Sequence, residues 1–182
     1  MERFTKIFFA AIFLLTISAC DKKSCKNVAC AAGLECYEGK CLCADGYEGT
    51  DCSILSSDKY SGSWQVGENC SLSGGGAPPN FSGYTTTVFA AGNGNVINEI
   101  EFSNFLGGGY VYAYIQNTDP NNLGTTIYVP GSQNPGNGVV TSASYGTYYP
   151  AGTAGGVTEI ILNLNYSYQG TNYQCQETLY KM

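Results

Sequence analysis

The side chains able to do chemistry in this chain are its cysteines, its tyrosines and a thin set of carboxylates; histidine is absent. That absence removes the usual general base and every imidazole metal ligand. A base would have to come from Asp, Glu, Lys or Tyr. Glu99 and Glu101 stand two apart in a strand-like run and could pair as carboxylates, and Glu159 and Glu177 fall on the last two such runs. All four are expected on the polar outer side of their strands. The sequence holds no Gly-x-Ser-x-Gly elbow, no phosphate loop and no metal-ligand spacing. We therefore expect no enzyme, no cofactor and no metal. The tyrosines are the better lead. Tyr110, Tyr112 and Tyr114 alternate along one run, a candidate binding surface, with Tyr128, Tyr145, Tyr148 and Tyr149 elsewhere in the same region. Exposed aromatics set among Asn, Gln and Gly suit glycan or protein recognition. Tyrosine also suits a half-buried strand surface, so the stripe has a plain structural reading beside the functional one.

Cysteine offers cross-linking chemistry, and there are nine of them, an odd number. Six fall at Cys25, Cys30, Cys36, Cys41, Cys43 and Cys52, within 28 residues. So short a stretch cannot bury enough apolar area to fold alone, so cross-links must supply its stability. That implies an oxidising compartment. The spacing does not by itself choose among the possible pairings. Cys70 follows the first long strand-like run and Cys175 lies in the last. In a closed barrel those two strands are neighbours, so a Cys70–Cys175 bond is the natural one.

The ninth cysteine belongs to the N-terminus. Arg3 and Lys6 precede the apolar run Ile7 to Ile17 and the small pair Ser18-Ala19. This reads as a secretory signal peptide over residues 1–19, its apolar run too short to span a bilayer. Ile17-Ser18-Ala19-Cys20 resembles a bacterial lipobox, which implies that Cys20 is lipidated and becomes the mature N-terminus. Eight cysteines then remain, an even set for disulfides. Residues 20–24 form a tether, and the acyl chains on Cys20 would hold the protein to the bacterial outer membrane. With only Asp21 acidic ahead of Lys22 and Lys23, the face of the membrane is left open.

Cys41-Leu-Cys43-Ala-Asp-Gly46-Tyr47-Glu-Gly49-Thr-Asp-Cys52 resembles the second half of an EGF-like domain, placing such a module at residues 25–52. The resemblance implies the pairs Cys25–Cys36, Cys30–Cys41 and Cys43–Cys52. Gly46 and Gly49 would permit the tight turns. The calcium-binding variants carry acidic and amide residues that do not occur here, and no calcium site is expected.

Beyond Cys52 the composition changes. From residue 53 onward Lys59 and Lys181 are the basic residues against seven acidic ones. Eight strand-like runs lie near 62–69, 83–91, 96–103, 109–117, 124–130, 138–145, 157–168 and 171–181, separated by Gly, Asn and Pro clusters. Ile160, Leu162, Leu164, Tyr166 and Tyr168 alternate on one face, as do Val111, Ala113 and Ile115. The expected fold is all-β: a small disulfide-rich module followed, over 58–182, by an eight-stranded antiparallel up-and-down barrel, closed so that no edge is left unpaired. Gly62-Ser-Trp64 with a basic residue in the last strand resembles the lipocalin-like (calycin) barrels. The resemblance implies that Trp64 closes the barrel base and that Lys181 packs across it. It also implies an internal pocket for a small apolar ligand, which Tyr166 and Tyr168 are bulky enough to fill. On spacing alone Trp64 equally fits the core of another sandwich or barrel.

The overall charge of −6 argues against nucleic acid as a partner. Taken together, the expectation is a monomeric, lipid-anchored cell-envelope protein that binds without catalysis. Its EGF-like unit would serve as a stalk and its barrel as an interaction module for a protein or glycan. The alternative is a carrier of a small hydrophobic ligand inside the barrel. Sequons at Asn69, Asn80 and Asn165 matter only in a eukaryotic secretory pathway.

Overall fold

A computed structural model describes residues 29–30, 34–37, 39–72, 81, 83–90, 96–119, 121, 123–152 and 156–182. Residues 1–19, read above as a signal peptide, and Cys20, Cys25 and Asn80 lie outside the described residues.

Over the described residues the N-terminal part forms two small hairpins. Strands β1 (Glu35–Tyr37) and β2 (Lys40–Leu42) pair antiparallel, and β3 (Tyr47–Glu48) pairs with β4 (Ile54–Leu55). Disulfides join Cys30 to Cys41 and Cys43 to Cys52. Cys36 is also disulfide-bonded, and its partner lies outside the described residues.

A single helical turn, α1 (Ser57–Tyr60), leads into the barrel. Its strands are β5 (Gly62–Leu72), β6 (Thr85–Ala90), β7 (Glu99–Ser103), β8 (Val111–Gln116), β9 (Thr126–Val129), β10 (Val139–Thr141), β11 (Ser144–Tyr149), β12 (Glu159–Tyr168) and β13 (Thr171–Lys181). All pairings are antiparallel, and the ring β5-β6-β7-β8-β9-β11-β12-β13 closes when β13 pairs with β5. Eight strands thus form the closed barrel. The sixth strand differs from the expected 138–145. It is split into β10 and β11, both lying along β12. At the break the Asn165 N–H turns to the Ser144 hydroxyl (2.9 Å), and the Ser142 N–H donates to the Asn165 carbonyl (2.7 Å). A side chain thus replaces a ladder bond there, and beyond the break β11 pairs with β12 as far as Tyr149.

Alternation decides what fills the interior. Trp64, Val66, Ile100, Phe102, Val111, Ala113, Ile115, Ile127, Ile160, Leu162 and Leu179 point inward and are buried. Gly146 is required among them: a Cβ there would come within 2.3 Å of the Leu162 side chain. The base is sealed by Trp64, whose Nε1 donates to the Tyr60 carbonyl at 2.8 Å. Lys181 Nζ lies 5.4 Å from the Trp64 ring and donates to the Lys59 carbonyl (2.8 Å). Tyr148 packs edge-on against Tyr60 at 5.0 Å, so it belongs to this seal and not to an exposed surface.

The N-terminal hairpins are fastened to the same end of the barrel. Asn117, just after β8, donates from Nδ2 to the carbonyls of Cys43 (3.1 Å), Ala44 (2.8 Å) and Tyr47 (2.7 Å), and its own N–H donates to Asp45 Oδ1. Lys59 forms an ion pair with Glu48. Gly46, at φ +88°, lies so close to Asn98 that a Cβ would meet it at 2.9 Å. Replacing Asn117 by Ala is expected to weaken this docking by about 2–3 kcal/mol, since three carbonyls lose their donor. Hydrogen exchange over residues 40–56 should quicken while the barrel strands stay protected; unchanged exchange would show that Asn117 does not hold the two together.

Candidate functional site

The outer face carries the tyrosines. With Val111, Ala113 and Ile115 pointing inward, the alternate residues of β8 must point outward. Tyr110 is 65% exposed, just ahead of the strand, and Tyr112 is 41% exposed. Tyr114 is half-buried beside Tyr112, their rings 5.8 Å apart. The expected stripe is therefore a surface feature. Gln133, which was not singled out from sequence, fixes its position. Its side-chain amide accepts the Tyr112 N–H (2.8 Å) and donates to the Tyr112 carbonyl (2.9 Å), standing in for the strand partner that β9 is too short to supply.

The stripe also extends sideways. Tyr114 lies opposite Tyr128 on β9, and Tyr128 opposite Tyr145 on β11. The Tyr128 and Tyr145 rings are 5.1 Å apart, and Tyr145 is 56% exposed. At one end Glu99 on β7 is the cross-strand neighbour of Tyr114; partial burial, then the nearby Glu99 charge, raise the Tyr114 pKa. Glu101 takes the same place beside Tyr112.

The interior holds the second group of reactive side chains. Glu68 on β5 and Glu177 on β13 are direct cross-strand partners and both face inward. Glu177 is fully buried, which corrects the expectation that it lies outside. Glu159 is on the outer face as expected, though covered, flanked in register by Tyr149 and Tyr180. Glu68 accepts the Tyr166 hydroxyl (3.0 Å) and the Phe81 N–H (3.1 Å). Neither Glu177 oxygen meets a partner in good hydrogen-bond geometry; Glu68 and the Tyr84 hydroxyl are the groups that face it. Burial, reinforced by the Glu68 charge, pushes the Glu177 carboxyl up to about 9. Burial also raises Glu68, against the lowering effect of its hydrogen bonds from Tyr166 and Phe81. Two facing carboxyls in one apolar enclosure cannot both ionise cheaply, so the pair retains a proton at neutral pH. The Cys70–Cys175 bond, two residues further along the same two strands, closes this end of the seam. Glu68 also lies close to the sulfurs of Cys70 and Cys175. Both sulfurs are in the disulfide, so they are no thiolate ligands for a metal.

No protein-family model matches the chain, and no curated protein matches it. Among the described residues, the reactive side chains gather on two surfaces. The outer one offers aromatic faces and hydroxyls to a partner, and the inner one holds a proton out of contact with water.

Proposed function

We propose that the protein is a lipid-anchored, non-catalytic binding module of the bacterial cell envelope. It is held to the outer membrane through acyl chains on Cys20 and carries its barrel on an EGF-like unit. In this reading the barrel is lipocalin-like in build, but its working surface is external. The observation that carries the proposal is the outward-facing tyrosine cluster of Tyr110, Tyr112, Tyr114, Tyr128 and Tyr145, set on rigid strands. Rigid amphipathic rings give large contact area at small entropic cost. The interior favours this reading over carriage of a small hydrophobic ligand. Its inward positions are filled by apolar side chains at the base and by a carboxyl pair toward the other end.

The test is retention on envelope material isolated from the protein's own host. Wild type should be retained, and a Tyr112→Ala/Tyr145→Ala variant should lose at least tenfold in affinity, as expected for aromatic anchors worth about 1–2 kcal/mol each. Equal retention of the two proteins would reject the tyrosine face as the binding surface. A small molecule found by native mass spectrometry inside the purified barrel would favour the carrier.

A further inference from the structure

The tyrosine row does not stop at β11. Tyr145 is the cross-strand partner of Asn163 on β12, Asn163 of Gln176 on β13, and Gln176 of Asn69 on β5. One outer row therefore runs Glu99, Tyr114, Tyr128, Tyr145, Asn163, Gln176, Asn69 across seven strands. Because the ring is closed, the row wraps round the barrel wall, about 29 Å of arc at about 4.8 Å per strand. Half of it is aromatic and half is amide, and Glu99 at its far end is the one ionisable carboxyl in it.

The amide half is concave. Asn69, Asn163, Asn165, Gln174 and Gln176 line a depression of about 480 Å³ over β5, β12 and β13. Gln176 Nε2 donates to Asn163 Oδ1 at 3.3 Å. That bond leaves the Asn163 amide hydrogens and the Gln176 carbonyl for a ligand, a donor and an acceptor side by side.

We propose that this belt binds a neutral polysaccharide laid across the strands, which deepens the binding-module reading above and rests on it. Sugar rings present an apolar C–H face and a rim of hydroxyls that are donor and acceptor at once. Tyr128 and Tyr145 offer flat apolar surface to the first, and the paired amides match the second. The charge pattern selects the ligand: the depression is lined without a charged side chain, so an acidic polymer finds no counter-ion there and meets Glu99 and Glu101 beyond the tyrosines.

Affinity gel electrophoresis of the full mature chain tests this, with xyloglucan, galactomannan and dextran as neutral polymers and polygalacturonate as the acidic one. At least one neutral polymer should slow the protein, and polygalacturonate should not. Asn163→Ala/Gln176→Ala and Tyr145→Ala should each weaken binding at least tenfold. Their melting temperatures should stay within about 2 °C of wild type, as all three side chains are exposed. Retardation by none of the neutral polymers, or an amide variant that binds as wild type does, would overturn the proposal. If the tyrosine variant still loses retention on host envelope material in that case, the binding-module reading stands without the neutral glycan.

Discussion

Replacing Cys70 and Cys175 together by serine should lower the stability of the barrel by about 4–5 kcal/mol, because the bond closes a loop of 105 residues in the unfolded chain. For a barrel of this size that is roughly 15 °C in melting temperature. The two residues face each other across the seam where the last strand meets the first. Without the bond, that seam alone must offset the entropy of bringing the chain ends together. A Cys→Ala pair should behave alike, since the loss arises from the freedom of the unfolded chain and not from the side chain substituted. Thermal unfolding followed by near-UV circular dichroism, without reductant, measures it. A melting temperature unchanged in both double variants would mean that the seam holds by its hydrogen bonds and packing alone.

Glu177→Gln should remove most of the pH dependence of stability between about pH 5 and pH 9. In the unfolded chain Glu177 ionises near its ordinary value of 4.5, while in the fold it keeps its proton up to about 9. Between those values the unfolded state has already released a proton that the native state still binds. Stability therefore falls as pH rises through this window and levels off above it, at a slope of at most about 1.4 kcal/mol per pH unit for one proton. Glutamine keeps the shape, cannot ionise and can donate to Glu68. The variant should be flatter with pH and more stable than wild type at pH 8, by about 1–3 kcal/mol. Urea unfolding at pH 5, 7 and 9 decides it. Parallel curves for wild type and variant would show that the proton resides elsewhere.

Much of the barrel was legible in the chain. Alternation in β8 and β12 marked the inward side, because a residue period of two maps directly onto the two faces of a pleated strand. The Gly, Asn and Pro clusters marked the ends. The closing pair of cysteines even contained the carboxyl pair. Glu68 is two residues before Cys70 and Glu177 two after Cys175, so one antiparallel register sets both pairs opposite each other on the same face. The same register puts Trp64 opposite Lys181. Glu177 was nonetheless expected outside, because carboxylates are rarely buried unless partnered, and its partner lay more than a hundred residues away.

Local sequence by itself determined most of the strands, the inward and outward sides of β8 and β12, the disulfide-rich N-terminal module and the poverty of catalytic groups. These follow from short-range pattern and composition. The tyrosine-to-amide row, the shared proton and the docking of the hairpins through Asn117 were decided only by tertiary structure. Each depends on which residues become neighbours across strands or between modules. That neighbourhood is set by closure and register, which are properties of the whole barrel and of no single segment.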